Sequence, residues 1–265
     1  MSTTPRSLGL LGKAAPDYRD RIFSAPSLVL EDLPLAVDLR KAKNLKGQLA
    51  TPRVFNQDRL GSCTAFATNA MVQFVEKFWG DPDSDRLSFL WTYYYTRLKI
   101  GTQNEDSGGF IKDAVAVTAE RGVPREVYWP YDQERFAEEP VHGERSAPQH
   151  MTLEYRAIPE GNEQGMRACI AEGFPFVYGF AVYQSFWDVG ATGVWPGTRG
   201  GIDGYHAVAC WGYDFTPGAF GFLNGGWIIR NSWGSDWGHK GYFYVPRSYM
   251  SVEAFDNWTV RKVTR

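Results

Sequence analysis

The sequence predicts an α+β fold, with helices gathered early in the chain and strands late. Between residues 63 and 121, apolar positions recur at three- and four-residue steps, the spacing of one buried helix face. From Phe174 onward, short apolar and aromatic runs are separated by glycine-rich turns, the pattern of strands. A chain of 265 residues that is 43% hydrophobic and 15% aromatic also has ample material for a sizeable core, in one large domain or two modest ones.

Taken in order, residues 1–32 carry Pro5, Pro16 and Pro26, an apolar Leu8-Gly9-Leu10-Leu11 run and a charged stretch around Asp17 to Arg21. No periodicity there is long enough for an amphipathic helix. We read this part as an extension preceding a domain at 33–265, its plainest role being a disordered leader. Residues 33–57, with Pro34 and Pro52, read as an extended arm. A helix then runs from Cys63 through Ala67, Ala70, Met71, Phe74 and Phe78, capped by Ser62 or a neighbour and ending near Trp79-Gly80-Asp81-Pro82.

Residues 87–99 form a second helix whose stripe of Phe89, Trp91, Tyr93, Tyr94 and Tyr95 reads as core. The polar loop 101–109 closes on Gly108-Gly109, and a third helix spans 111–121, stopped by Gly122 and Pro124. The polar stretch 128–150 holds His142 and His150, both expected at the surface, and residues 163–172 form a short helix. Strands are expected at 174–182, 194–195, 206–213, 226–231 and 241–245.

The stretch that carries chemistry is Phe55-Asn56-Gln57-Asp58-Arg59-Leu60-Gly61-Ser62-Cys63. A turn-forming run delivers Cys63 into the first turn of a helix, where unpaired N–H groups and the positive dipole end favour the nucleophilic thiolate. Gln57 could donate its amide beside the Cys63 N–H, so that an oxyanion sits between them. Taken alone, a single cysteine is more often a small buried hydrophobe. Likewise His206 alone reads as a core histidine, Asn231 as a turn cap and Gly108-Gly109 as a plain turn.

These stretches do not stand alone. Asp203-Gly204-Tyr205-His206-Ala207-Val208 and Trp227-Ile228-Ile229-Arg230-Asn231-Ser232-Trp233-Gly234 follow in the order Cys, His, Asn, with His206 lying 143 residues beyond Cys63. Together they resemble the motifs of papain-like cysteine peptidases, whose histidine stands at about this distance from the cysteine. Further blocks are similar to the family: Leu33-Pro34 to Asp38-Leu39-Arg40, Ser107-Gly108-Gly109-Phe110, Gly122-Val123-Pro124 to Trp129-Pro130-Tyr131, and Trp237-Gly238 to Gly241-Tyr242-Phe243. The resemblance spans roughly residues 33 to 250. Leu60 stands where the family usually has a cysteine, Thr64 replaces an aromatic residue, and Asp58 replaces a glycine after Gln57. The first removes half of a disulfide, and the other two alter packing and loop shape around Cys63.

The resemblance implies a two-lobed fold, with a helical left lobe, an antiparallel β-barrel-like right lobe and the cleft between them. It also implies that Cys63 is the nucleophile, His206 the general acid and base, Asn231 the orienter of the imidazole, and Gln57 an oxyanion donor. Trp233 would shield the His206–Asn231 pair from water. Gly108, Gly109, Tyr205 and Trp233 would border the bound peptide, the glycines by letting a substrate backbone approach and pair. The function implied is peptide-bond hydrolysis by a cysteine endopeptidase. An exopeptidase, an acyl transferase on the same fold and a catalytically silent binding module are the alternatives.

No cofactor is called for. Neither His142 nor His150 has a partner at metal-ligand spacing, His239 reads as a loop residue, and no phosphate-binding glycine loop is present. A net charge of −2 argues against nucleic acid as a partner, and no run of apolar residues is long enough for a membrane span. Peptides and proteins remain as substrates. Residues 1–13 lack the apolar stretch of a signal peptide, and the three cysteines, Cys63, Cys169 and Cys210, cannot form an even disulfide framework. The expectation is a bacterial-type cytoplasmic protein, which leaves open export by a route needing no cleaved signal. In such a setting residues 1–32 become a candidate intramolecular inhibitor, long enough when extended to cross the cleft.

Overall fold

The computed structural model describes residues 7–25, 32–79 and 86–264. A short strand β1 (Ala36–Asp38) is followed by three helices, α1 (Cys63–Trp79), α2 (Phe89–Leu98) and α3 (Ile111–Glu120). Next come β2 (Thr152–Ile158), α4 (Glu163–Ala171), β3 (Phe176–Tyr183), β4 (Ile202–Asp214), β5 (Gly226–Arg230), β6 (Tyr242–Pro246), α5 (Tyr249–Glu253) and β7 (Phe255–Val263). The order is α+β, as the periodicities predict. The expected helix stop at Gly80-Asp81-Pro82 lies outside the described residues, as do Pro5 and Pro26.

The strands make one antiparallel sheet in the order β2-β7-β3-β4-β5-β6, with β1 pairing the far end of β4. This sheet is open: β2 and β6 are its edges and do not pair with each other. The barrel-like right lobe suggested by the resemblance is therefore not closed. Three strands were not legible in the sequence. β1 is only three residues long and β2 is mostly half-exposed. β7 mixes polar residues such as Asn257, Thr259 and Arg261 with its apolar ones, because buried Asn257 and Thr259 find carbonyl partners in Ile158 and Pro175. Val194, expected in a strand, makes only an isolated bridge to Tyr244.

Helix α1 is buried from Cys63 to Glu76 on every side, which marks a central helix rather than an amphipathic surface one. One side meets the sheet, where Phe74 packs edge-on against Trp211 and the Met71 sulfur accepts from the Val260 N–H. The other side meets α2. There the buried Asn69 amide donates to the Ser88 carbonyl at 3.0 Å and accepts from Thr92 at 2.9 Å. Ser88 in turn caps α2 through the Trp91 N–H. His150 is a correction to the surface reading: it is buried, and its Nδ1 lies 3.0 Å from Glu76 at the far end of α1. A hydrogen-bonded carboxylate makes such burial tolerable, and the partner is 74 residues away in sequence, beyond the reach of any local pattern.

Asn69→Ala should cost about 1–3 kcal/mol, since it removes two buried hydrogen bonds at the α1–α2 contact. Thermal unfolding checks this; a melting temperature unchanged from wild type would remove the pair from the stabilising contacts.

Candidate active site

Cys63 opens α1 and is completely buried. The Ser62 carbonyl accepts the first helical bond, from Phe66 N–H, whereas the Ser62 hydroxyl turns away to Tyr131 at 2.8 Å. The expected cap by Ser62 is thus made by its backbone and not by its side chain. The Cys63 sulfur is faced by the backbone amides of Ala207, Gly9 and Thr64. Ala207 follows His206 on β4, so the two halves of the fold meet at this sulfur.

His206 Nε2 lies 2.8 Å from Asn231 Oδ1. The same oxygen accepts the Ser232 N–H at 2.8 Å, which fixes the amide with its oxygen toward the ring. Nε2 therefore carries the proton. Nδ1 is left as the acceptor, buried and without a hydrogen-bond partner among the described residues. Trp233 stacks on the imidazole with centroids 4.8 Å apart and is itself packed by Trp187 at 5.6 Å and Phe186 at 5.7 Å. Its place is over the histidine, and only 5% of it is exposed.

Gln57 is buried, and its amide orientation is decided by Ser232, whose hydroxyl donates to Gln57 Oε1. The Nε2 group then faces the Leu60 carbonyl at 2.9 Å and the Ser7 carbonyl at 3.3 Å. Ser232 was missed in the sequence, although it lies between Asn231 and Trp233. Its orientation toward a residue 175 positions away has no local signature.

The cleft is occupied by the chain's own N-terminal segment. Gly109 N–H donates to the Gly9 carbonyl at 2.8 Å, Leu11 N–H donates to the Gly109 carbonyl at 3.2 Å, and Leu10 N–H donates to the Tyr205 carbonyl at 3.3 Å. The Leu10–Gly109 bridge is parallel. The approach is so close that a Cβ on Gly9 would lie 1.9 Å from the Gly61 carbonyl oxygen, and one on Gly108 would lie 2.0 Å from the Gly9 oxygen. A Cβ on Gly109 would instead point at the Thr96 methyl, 2.6 Å away. Within the glycine pair, then, Gly108 keeps its side-chain space clear for the segment, while Gly109 supplies the backbone bonds.

Beyond the cleft the segment is tied down. Lys13 pairs with Glu160, and Lys112 pairs with Asp20 at 2.8 Å. Further on, Phe23 N–H donates to the Ala157 carbonyl at 2.7 Å and the Phe23 ring is buried beside the Arg261 guanidinium.

Burial dominates the electrostatics. Desolvation pushes the Cys63 thiol up to about 11, more than the surrounding amides pull it down. The same burial lowers His206 to about 4, against the partial support of the Asn231 hydrogen bond. In the covered state both groups are neutral. Cys169 and Cys210 are likewise buried and pushed up by desolvation, as core thiols should be. No cluster that could hold a metal ion occurs among the described residues, and no described helix is long and apolar enough to cross a membrane.

A thiol at a helix start, an imidazole fixed by an amide, and a peptide-binding glycine edge define a thiol-dependent acyl-transfer site on a two-lobed α+β scaffold. Comparison with known proteins agrees. Residues 33–257 match the description "Papain family cysteine protease", and the chain belongs to that family. It is 31% identical to Xylellain, a cysteine protease from Xylella fastidiosa, over 99% of each chain, with a TM-score of 0.83. An uncharacterized peptidase C1-like protein of Acanthamoeba polyphaga mimivirus is 30% identical, the match covering 99% of this chain and 89% of that one. The cysteine endopeptidase RepA of Oryza sativa subsp. japonica is also 30% identical, over 83% of this chain but 54% of its own length. A digestive procathepsin L 3 of Tenebrio molitor shares the fold at a TM-score of 0.70 and 20% identity.

Ser232→Ala should lower kcat about tenfold and leave KM nearly unchanged, because the Gln57 amide loses the donor that orients it toward a developing oxyanion. Steady-state kinetics on a fluorogenic peptide check this. A change confined to KM would show that Gln57 does not serve the oxyanion.

Proposed function

We propose that this cysteine peptidase is an endopeptidase held latent by its own N-terminal segment. The observation that carries the reading is the extended stretch from Ser7 to Leu11 lying along the site, bonded to Gly109 and Tyr205, touching Cys63 and Gln57, and running on to Phe23. A groove that holds several residues of extended backbone suits cutting within a polypeptide.

In the opened site, Cys63 loses its proton to His206 Nδ1, and the thiolate attacks the substrate carbonyl carbon. The oxyanion that forms is met by the Cys63 N–H and by Gln57 Nε2. The His206 imidazolium then gives its proton to the departing amine, which breaks the C–N bond and leaves a thioester on Cys63. Water, deprotonated by His206, attacks the thioester, and the acid product leaves as Cys63 is restored. Asn231 keeps Nε2–H occupied throughout, so the proton moves only at Nδ1. Trp233 keeps water from competing for that bond.

Latency follows from coverage and from charge together. The segment shields the sulfur, and its dry surroundings disfavour the charged pair on which attack depends. The sign of the pH effect follows from His206. Its covered value of about 4 lies below the 6.5 of an open imidazole. Between those values an opened state binds a proton that the covered state does not. Coverage is therefore complete above pH 6.5 and weakens as pH falls toward 4, by up to about tenfold per pH unit for one proton.

Gly9→Val should open the cleft without disturbing the anchor at Phe23. Brief iodoacetamide labelling at neutral pH, mapped by mass spectrometry, should reach Cys63 at least about ten times faster than in wild type, with Cys169 and Cys210 still unreactive. Hydrolysis should rise in parallel, and the ratio of variant to wild-type activity should shrink between pH 6.5 and 4.5. Labelling at Cys169 or Cys210 ahead of Cys63 would sink the assignment of the nucleophile. Equal wild-type and variant rates would end the idea of a plug.

Substrate preference can be read from what the segment places beside Gly109. The Leu10 side chain is buried against Gly179 and Phe255, and Leu8 lies over Gly204. These surfaces are apolar and shaped for a branched chain. A peptide-library profile of the opened enzyme should show aliphatic or aromatic residues two places before the cut; a profile led by Asp or Glu there would refute it.

A further inference from the structure

The loop that carries the glycine pair and the turn that leads into Cys63 come from different parts of the chain, yet both lie against Gly9 of the bound segment and must hold their places relative to each other. All three cysteines are free, so no disulfide sets that distance. One side chain touches both. The Asp106 carboxylate accepts the Gly61 N–H with both oxygens, at 2.9 and 3.2 Å, and also accepts the Tyr93 hydroxyl proton. The Tyr93 oxygen accepts the Gly108 N–H at 3.2 Å.

We infer that Asp106 and Tyr93 are positioning residues that clamp the nucleophile turn to the peptide-binding glycine pair. This rests on the reading of Cys63 and Gly108-Gly109 as the site, and it assigns a role to two residues outside the motifs. Gly61 is buried directly under the bound segment: a Cβ there would lie 3.2 Å from Gly9, 3.3 Å from Asp106 and 3.4 Å from the Tyr93 hydroxyl. The amides of Gly61 and Gly108 therefore bond one small network, and both glycines lie against Gly9 of the bound segment.

The rest of the loop is prepared to hold Asp106 in place. The buried Arg97 guanidinium lies 4.0 Å from the Tyr93 ring centroid and donates to the carbonyls of Gln103 and Glu105, at 2.7 Å each, and of Phe136. Tyr93 is fully buried in α2, and burial together with its bond to Asp106 keeps its proton on the hydroxyl. The carboxylate is the stronger acceptor for an amide than a neutral group would be. Two segments linked in this way move together. Loosening the link should blur both the placement of the peptide and the direction of the Cys63 N–H two residues after Gly61.

The test compares Asp106→Ala, Asp106→Asn and Tyr93→Phe in the full chain. Amide hydrogen exchange is followed at Gly61 and Gly108, together with kinetics in which kcat is expressed per titratable Cys63, so that the number of opened molecules does not enter. Asp106→Ala should speed exchange at both glycines about tenfold or more and lower kcat/KM by a similar factor, through both kcat and KM. Tyr93→Phe, the milder change should Asp106→Ala fail to fold, should free Gly108 alone and raise KM severalfold with kcat little altered. Asp106→Asn keeps an acceptor for Gly61 and should recover most of the loss.

Unchanged exchange at Gly61 in Asp106→Ala would overturn the clamp, and so would an Asn variant as impaired as the Ala variant. If the opened Gly9→Val enzyme cleaves no peptide, the peptidase reading fails by itself, and the exchange pattern still decides whether the two segments are joined.

Discussion

The contact between the first turn of α1 and the middle of β4 is the interaction on which the site depends. Cys63 and the Ala207 amide meet there, and every other functional group is placed relative to that meeting. α1 can bring its N-terminus to the sheet because it is buried on all sides, with Phe74 and Met71 against the strands and Asn69 against α2. β4 is long enough, at 13 residues, to pair with β3, β5 and β1 while still presenting His206 at the cleft. Rigid elements on both sides hold two reacting groups that no short-range sequence signal connects.

The same thiol has opposite character in two environments. A helix N-terminus and a neighbouring imidazole favour the thiolate, but both effects depend on a medium that can support charge. Once the segment from Ser7 to Leu11 excludes water, desolvation outweighs the amides around the sulfur, and both Cys63 and His206 are neutral. Under the proposed latency, inhibition and electrostatics are one event: the backbone that covers the sulfur also leaves both groups neutral.

That backbone can lie so close only because glycines meet it. Gly9 rests on Gly61 and against Gly108, and each contact would be impossible with a side chain pointing into the gap. The segment covers the site at Leu8 to Leu11 and is held at Phe23, where it pairs with Ala157 at the outer strand.

Sequence alone determined the division into early helices and late strands, the helix that starts at Cys63, and the Cys, His, Asn series, because these depend on local periodicity and on short motifs. It also marked Gln57 and Gly108-Gly109. Tertiary structure decided what these residues experience. It turned Ser232 toward Gln57, joined Asp106 to Gly61 across 45 residues, and buried His150 on Glu76. It left the sheet open, and it found strands in polar sequence where buried hydroxyls and amides had carbonyls to meet. The helix dipole at Cys63 could be read from the chain, but the desolvation that overrides it could not. Desolvation depends on which distant atoms displace water, and that is a property of the folded chain only.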